Sequence, residues 1–242
     1  EITTRLVGSE MCIRDRLLNY ADNLDSVFTL AHEMGHAMHT YYSNEHQSIT
    51  YAGYLIFVAE VASTCNESLL MHYMLENCED ENERKYLMTH FLDGFRTILF
   101  RQAQFAEFEH IAHRKMQKGE PVTKDVLNEL WHELNVQYYG PDMRVDDEIS
   151  YEWMRIPHFY TPYYVYQYST GYSAAVAFSK KILEEGKPAV DKYIGNFLCG
   201  GCSKNPIELL KSAGVDMSTP KPVDDALNVF EDYLKQFETA TK

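Results

Sequence analysis

The most constraining feature of this 242-residue chain is His32-Glu33-Met34-Gly35-His36, set inside the run from Leu30 to His39 and flanked by Leu30, Ala31, Ala37 and Met38. Residues four apart on a helix lie one above the other, so helical winding lets His32 and His36 aim both imidazoles at one point. Two neutral imidazoles in that relation suit a zinc ion, which favours nitrogen donors and tetrahedral coordination. Glu33, next to the first histidine, can then reach a water at the metal without itself being a ligand, the general-base position of a zinc peptidase.

A catalytic zinc takes three protein ligands and keeps one position open, and the next helical stretch offers the third. From Tyr54 to about Leu75 the sequence has helical periodicity with neither Pro nor Gly. Glu60 lies there among Phe57, Val58, Ala59, Val61 and Ala62, where an unpaired carboxylate is costly to bury and a cation offsets the cost. Glu67, seven residues on, shares its face. It either accepts the free N–H of a zinc-bound imidazole or is a solvated helix charge. A layout continuing with glycine and a third histidine is excluded, because positions 39 and 42 hold His39 and Tyr42.

Several runs resemble oligoendopeptidase F, a family grouped with the thimet oligopeptidase-like, largely helical zinc metallopeptidases. They are residues 17–20, 27–39, 56–67 and the aromatic stretch Ile-Pro-His-Phe-Tyr-Thr-Pro-Tyr-Tyr-Val-Tyr-Gln-Tyr at 156–168. The resemblance implies a mainly α, zincin-type catalytic domain. It matches His32, His36 and Glu60 to the ligands of one zinc per chain and Glu33 to the base. It matches His158 to a histidine that, with tyrosines of a later loop, binds the substrate carbonyl. Tyr160, Tyr163, Tyr164, Tyr166 and Tyr168 crowd that loop, and Tyr163 and Tyr166 are the preferred matches. The implied activity is endopeptidase action on short oligopeptides. A related zinc carboxypeptidase and a zinc-binding but inert fragment are the alternatives.

Bulk properties narrow the partners. A formal net charge of -14 without a basic run argues against nucleic acid, because neutralising phosphates takes clustered Lys and Arg. No apolar run approaches the roughly 18 residues needed to span a bilayer. Five scattered cysteines read as reduced thiols, and the lack of a signal peptide favours the cytoplasm. Cys199-Gly200-Gly201-Cys202 has redox-pair spacing but reads as a glycine turn between helices.

Residues 11–16, Met-Cys-Ile-Arg-Asp-Arg, match one reading frame of a common sequencing adapter. Residues 1–16 are therefore expected to be a non-native leader, and 17–242 the C-terminal catalytic part of an enzyme whose preceding portion is missing and acts as its partner. Leu17 to Tyr20 is either a short edge strand or a linker. The expected helices run from a cap at Asn23 or Asp25 to Tyr42, from Tyr54 to Leu75, from Tyr86 to Lys118 as one piece, from Lys124 to Tyr138, from Gly171 to Glu185, from Ala189 to Leu198, from Pro206 to Ala213 and from Val223 to Phe237. Tyr139 to Trp153 reads as a loop whose acid cluster, Asp146 to Glu148, is solvated. No shift of composition marks a domain boundary.

Overall fold

The computed structural model describes residues 18–241. The leader at 1–16 and Leu17 lie outside that range. Residues 18–20 take no regular structure, and among the described residues there is no strand with which an edge could pair. The helices are α1 (Leu24–His46), α2 (Ile56–Asn77), α3 (Glu81–Gly94), α4 (Arg101–Gln117), α5 (Lys124–Tyr139), α6 (Tyr166–Glu185), α7 (Lys187–Lys192), α8 (Pro206–Ala213) and α9 (Lys221–Ala240). The mainly α reading of the sequence holds.

Local chemistry explains where three of the helices start. Asn23 caps α1, its Oδ1 accepting the Ser26 N–H at 2.9 Å, which satisfies one of the orphan donors of the first turn. Asp80 does the same for α3, accepting from Asn82 and Glu83, and this helix starts at Glu81 rather than Tyr86. Thr123 caps α5 through Val126 N–H. Three other boundaries correct the sequence reading. First, α1 continues past Tyr42 to His46. Second, the latter part of the supposed loop is a 3-10 helix, Asp147–Arg155. Third, α6 begins at Tyr166, not Gly171.

The expected single helix from Tyr86 to Lys118 winds as a π-helix over Phe95–Phe100 between α3 and α4. Its wider turn frees carbonyls from the α-helical ladder. The Ser169 hydroxyl donates to two of them, Leu99 O at 2.9 Å and Ile98 O at 3.3 Å.

The chain forms two compact units: one from the segments up to Phe91 and from Gly171 onward, the other from Leu92 to Thr170. The Leu92–Thr170 unit packs Phe105, Phe108, Leu130, Trp131, Leu134, Ile156 and Val165 together. In the first unit, Val58, Val61, Ala62 and Cys65 of α2 meet Ala174, Ala175, Ala177 and Phe178 of α6. Every residue of α6 from Gly171 to Ser179 is buried, and small side chains let a helix buried all round come close to its neighbours. Gly171 is one of them: a Cβ there would stand 4.0 Å from Phe57 O. The Ser68 and Ser179 hydroxyls satisfy each other inside this contact at 2.7 Å.

The Cys199-Gly200-Gly201-Cys202 turn, which follows a second π-helical stretch at Tyr193–Leu198, docks on the connection between α1 and α2. Gln47 Nε2 donates to Cys199 O at 2.8 Å, and Cys202 N–H donates to Tyr51 O at 2.8 Å. Gly201 has φ +50°, and a Cβ there would meet Tyr51 O at 2.0 Å, so the second glycine is required both by backbone conformation and by space. The described cysteines, Cys65, Cys78, Cys199 and Cys202, are all free thiols.

Phe197, fully buried, stacks on Phe178 at 5.5 Å and meets His39 of α1 at 4.9 Å. Replacing it by alanine opens a cavity, so Phe197→Ala is expected to destabilise the chain by about 3–5 kcal/mol. Urea unfolding followed by circular dichroism checks this, and a loss below about 1 kcal/mol would mean that the site collapses around the missing ring.

Candidate metal centre

α1 and α2 carry the candidate ligands, and a glycine sets how close the two helices come. A Cβ at Gly35 would lie 2.5 Å from Ser63 Cα, 2.8 Å from Ser63 N and 2.7 Å from Ala62 O. Atoms in real structures do not approach that closely, so the motif's helix can lie against α2 only with hydrogen at position 35. Asn66 ties the pair further, its Nδ2 donating to Ala31 O at 3.2 Å. At the other end His39, fully buried, stacks on Tyr54 with centroids 3.7 Å apart, and the Tyr54 hydroxyl bonds Thr40 Oγ1 at 2.9 Å.

This contact brings three donor atoms together. His32 Nε2 lies 3.1 Å from His36 Nε2 and 3.2 Å from Glu60 Oε2, and His36 Nε2 lies 3.5 Å from that same oxygen. Among the described residues, His32, His36 and Glu60 are the group of metal-ligating side chains whose donor atoms converge. The triangle passes a simple test of fit. A tetrahedral ion with bonds of about 2.0–2.1 Å separates its ligands by about 3.3–3.4 Å, the spacing zinc would require. Donor lone pairs facing one another across such distances repel unless a cation or a proton lies between them.

The surroundings are built for positive charge. Glu67 Oε1 lies 2.5 Å from His32 Nδ1, which directs the ring's proton to Nδ1 and leaves Nε2 free as a ligand. Ser63 Oγ donates to Glu60 Oε2 at 3.2 Å and orients that carboxylate. On protein groups alone, burial works to lower the pKa of His32, but its hydrogen bonds to Glu60 and Glu67 outweigh burial and push it up to about 10. The Glu60 carboxyl is held well below its usual range by hydrogen bonds from His32 and His36, against the opposing effect of burial. A metal ion taken up here would therefore have to displace protons. His39 behaves differently. Burial, assisted by the charge of His36, pushes its pKa down to about 3, so it packs as a neutral ring. Neither of its nitrogens meets a hydrogen-bond partner among the described residues.

Of the residues singled out in the sequence, His32, His36, Glu60 and Glu67 meet at this centre, and Glu33 is half-buried on α1 beside them in sequence. His158, Tyr163 and Tyr166 belong to the Leu92–Thr170 unit. There His158 lies exposed in a 3-10 turn, Pro157–Tyr160. Its ring stacks on Tyr164 at 5.6 Å, and its Nε2 is 3.4 Å from the Tyr168 hydroxyl. Tyr163 stacks instead on His113 at 5.0 Å. Tyr166 is the first residue of α6, which corrects its placement in a loop.

Sequence reading passed over Gly35, Ser63 and Asn66. A glycine inside an otherwise unbroken helical pattern was the available signal for the first. The other two are ordinary polar helix residues, whose partners appear only once α1 and α2 are packed.

The model of peptidase family M3 matches residues 16–229. The chain is 54% identical over 222 residues to oligopeptidase PepF of Bacillus subtilis, an alignment covering 92% of this chain and 33% of that protein. It is 43% identical to the group B oligopeptidase PepB of Streptococcus agalactiae, covering 92% of this chain and 37% of the relative. In three dimensions it resembles the crystal structure of oligoendopeptidase-F from Enterococcus faecium, with a TM-score of 0.81, 46% identity, and coverage of 90% of this chain and 39% of that one. The chain thus spans about a third of the length of the curated relatives it matches.

Gly35→Ala is expected to force α1 from α2 and spread the three donors. Zinc affinity, measured by competition with a chromophoric chelator, should fall by at least about tenfold, on the scale seen when groups supporting a metal site are disturbed. An unchanged affinity would show that the helix contact does not set the ligand geometry.

Proposed function

The chain belongs to peptidase family M3, and from that premise we propose that it is the catalytic portion of a zinc-dependent endopeptidase acting on short oligopeptides. The observation that carries this reading is the convergence of His32 Nε2, His36 Nε2 and Glu60 Oε2 within 3.1–3.5 Å of one another. These three side chains would hold the zinc, one per chain, and Glu67 would keep His32 in the ligating tautomer. The bound metal supplies a Lewis acid that brings the pKa of water towards neutrality and polarises a carbonyl.

Glu33 takes the proton of the water that attacks the peptide carbonyl carbon, then delivers it to the amine nitrogen as the C–N bond breaks. The water oxygen stays in the new carboxylate and both water protons finish on the leaving nitrogen, the first delivered by Glu33, so that the amine departs as an ammonium group. His158 and a nearby tyrosine, Tyr163 or Tyr166 by family resemblance, are assigned as hydrogen-bond donors to the carbonyl oxygen as it gains charge. Restriction to oligopeptides rests on the relatives' names, oligopeptidase and oligoendopeptidase.

A second reading has a specific observation behind it. Because the chain spans about a third of its relatives, it can hold zinc and yet lack residues that turnover requires.

Metal analysis and hydrolysis of a quenched peptide blocked at both ends, on this chain and on Glu33→Gln, separate the readings. The expected result is about one zinc per chain in both proteins, with turnover falling by at least 10²–10⁴, roughly the contribution of a general base. Unchanged turnover in Glu33→Gln removes Glu33 from the mechanism. Cleavage confined to peptides with a free C-terminus identifies a carboxypeptidase. Full zinc with no hydrolysis by the unsubstituted chain identifies the inert fragment.

A further inference from the structure

Tyr163 is the one described residue other than glycine with positive φ, at 56°. This left-handed conformation crowds a Cβ against the following carbonyl, so a tyrosine holds it only where its surroundings impose it. The group that meets its backbone N–H is Glu109 of α4. Its side chain is 4% exposed, and its Oε1 accepts the Tyr163 N–H at 2.5 Å. A buried carboxylate needs hydrogen-bond donors, and besides the Tyr163 N–H a histidine ring lies close to Glu109. His113, one turn further along α4, places Nε2 3.8 Å from the same oxygen. The His113 ring also stacks on that of Tyr163 at 5.0 Å with 26° between planes. Backbone and ring of Tyr163 are thus both held by one helix.

The reversal at Tyr163 has a consequence for the residues beside it. Tyr163 turns towards α4, while Tyr164 stacks on His158 at 5.6 Å and meets Tyr168 at 5.7 Å. The Tyr168 hydroxyl lies 3.4 Å from His158 Nε2. If Tyr163 relaxed to negative φ, the chain direction into Tyr164 would change and the rings around His158 would be re-aimed. We propose that Glu109, with His113, is a positioning pair that latches Tyr163 in its left-handed conformation and thereby sets the surroundings of His158. The proposal rests on the reading that His158 acts in peptide hydrolysis. Glu109 touches no reacting atom in it.

The test uses the zinc-loaded 242-residue chain with Glu109→Gln and Glu109→Ala. Three quantities are read: amide exchange at Tyr163, the imidazole NMR signals of His158, and kcat and KM on the doubly blocked peptide. Glu109→Ala should raise Tyr163 exchange by about tenfold or more, since a charge-assisted bond is lost. It should also move the His158 signals, leave those of His32 and His36 in place, and lower kcat with KM within about twofold, the pattern of a group that acts on the transition state rather than on binding. Glu109→Gln keeps an acceptor oxygen at the same length and should recover part of each effect. If Glu109→Ala does not fold, Glu109→Gln carries the test, and a measurable rise in Tyr163 exchange is still expected.

Unchanged exchange and unchanged His158 signals in both variants overturn the latch. Altered signals with kcat unchanged overturn its role in hydrolysis. An unsubstituted chain that binds zinc but cleaves nothing defeats the proposed function instead, and exchange at Tyr163 with the His158 signals still decides the latch.

Discussion

The centre depends on one steric fact, the contact of two helix backbones at Gly35. Three donors from two helices converge to within tenths of an ångström of a tetrahedral set only if the helices are held at a fixed separation, and side chains on both would keep them further apart. The space a Cβ would need at position 35 is filled by the Ser63 backbone. The contact is then pinned at several points. Asn66 reaches Ala31 O, His39 stacks on Tyr54, and the Gly200-Gly201 turn takes Tyr51 O as its anchor. These features lie along one path from the motif helix through its connection to the helix that bears Glu60.

Electrostatics then selects what the contact can hold. Two imidazoles and two carboxylates share a partly buried space, and the carboxylates hold His32 in a state that favours positive charge. His39, only one turn beyond His36, is driven the opposite way because it lacks any carboxylate or hydrogen-bond partner. The same residue type on the same helix thus serves as a candidate ligand or as a packing ring, according to what faces it across the gap between helices.

Much of this could be read without coordinates, and the failures are instructive. The i, i+4 histidines, a carboxylate flanked in sequence by Val58, Val61 and Ala62, and Glu67 seven residues on are periodic features, and periodicity survives in a one-dimensional string. Gly171 was misread as the start of a helix, because a glycine in sequence looks alike whether it ends an element or lets one pack. In the fold it lies inside α6, close to Phe57 O. The π winding at Phe95–Phe100 was equally hidden, since the Ser169 hydroxyl that meets its freed carbonyls comes some seventy residues later. Glu109 stood beside the apolar positions Phe105, Phe108 and Ala112, and a charge at the edge of an apolar stripe was a signal left unused.

By itself the sequence determined which residues are candidates for the metal centre, the helices that present them and the face on which each lies, because these follow from local spacing along a helix. Only the tertiary structure decided that Glu60 meets both histidines, that Glu67 bonds His32, that the motif's glycine is a contact and not a flaw, and that Tyr163 is bent against its preference by a carboxylate 54 residues away. Those outcomes depend on distances between segments remote in the chain, which are set by the packing of whole helices and leave no period in the sequence.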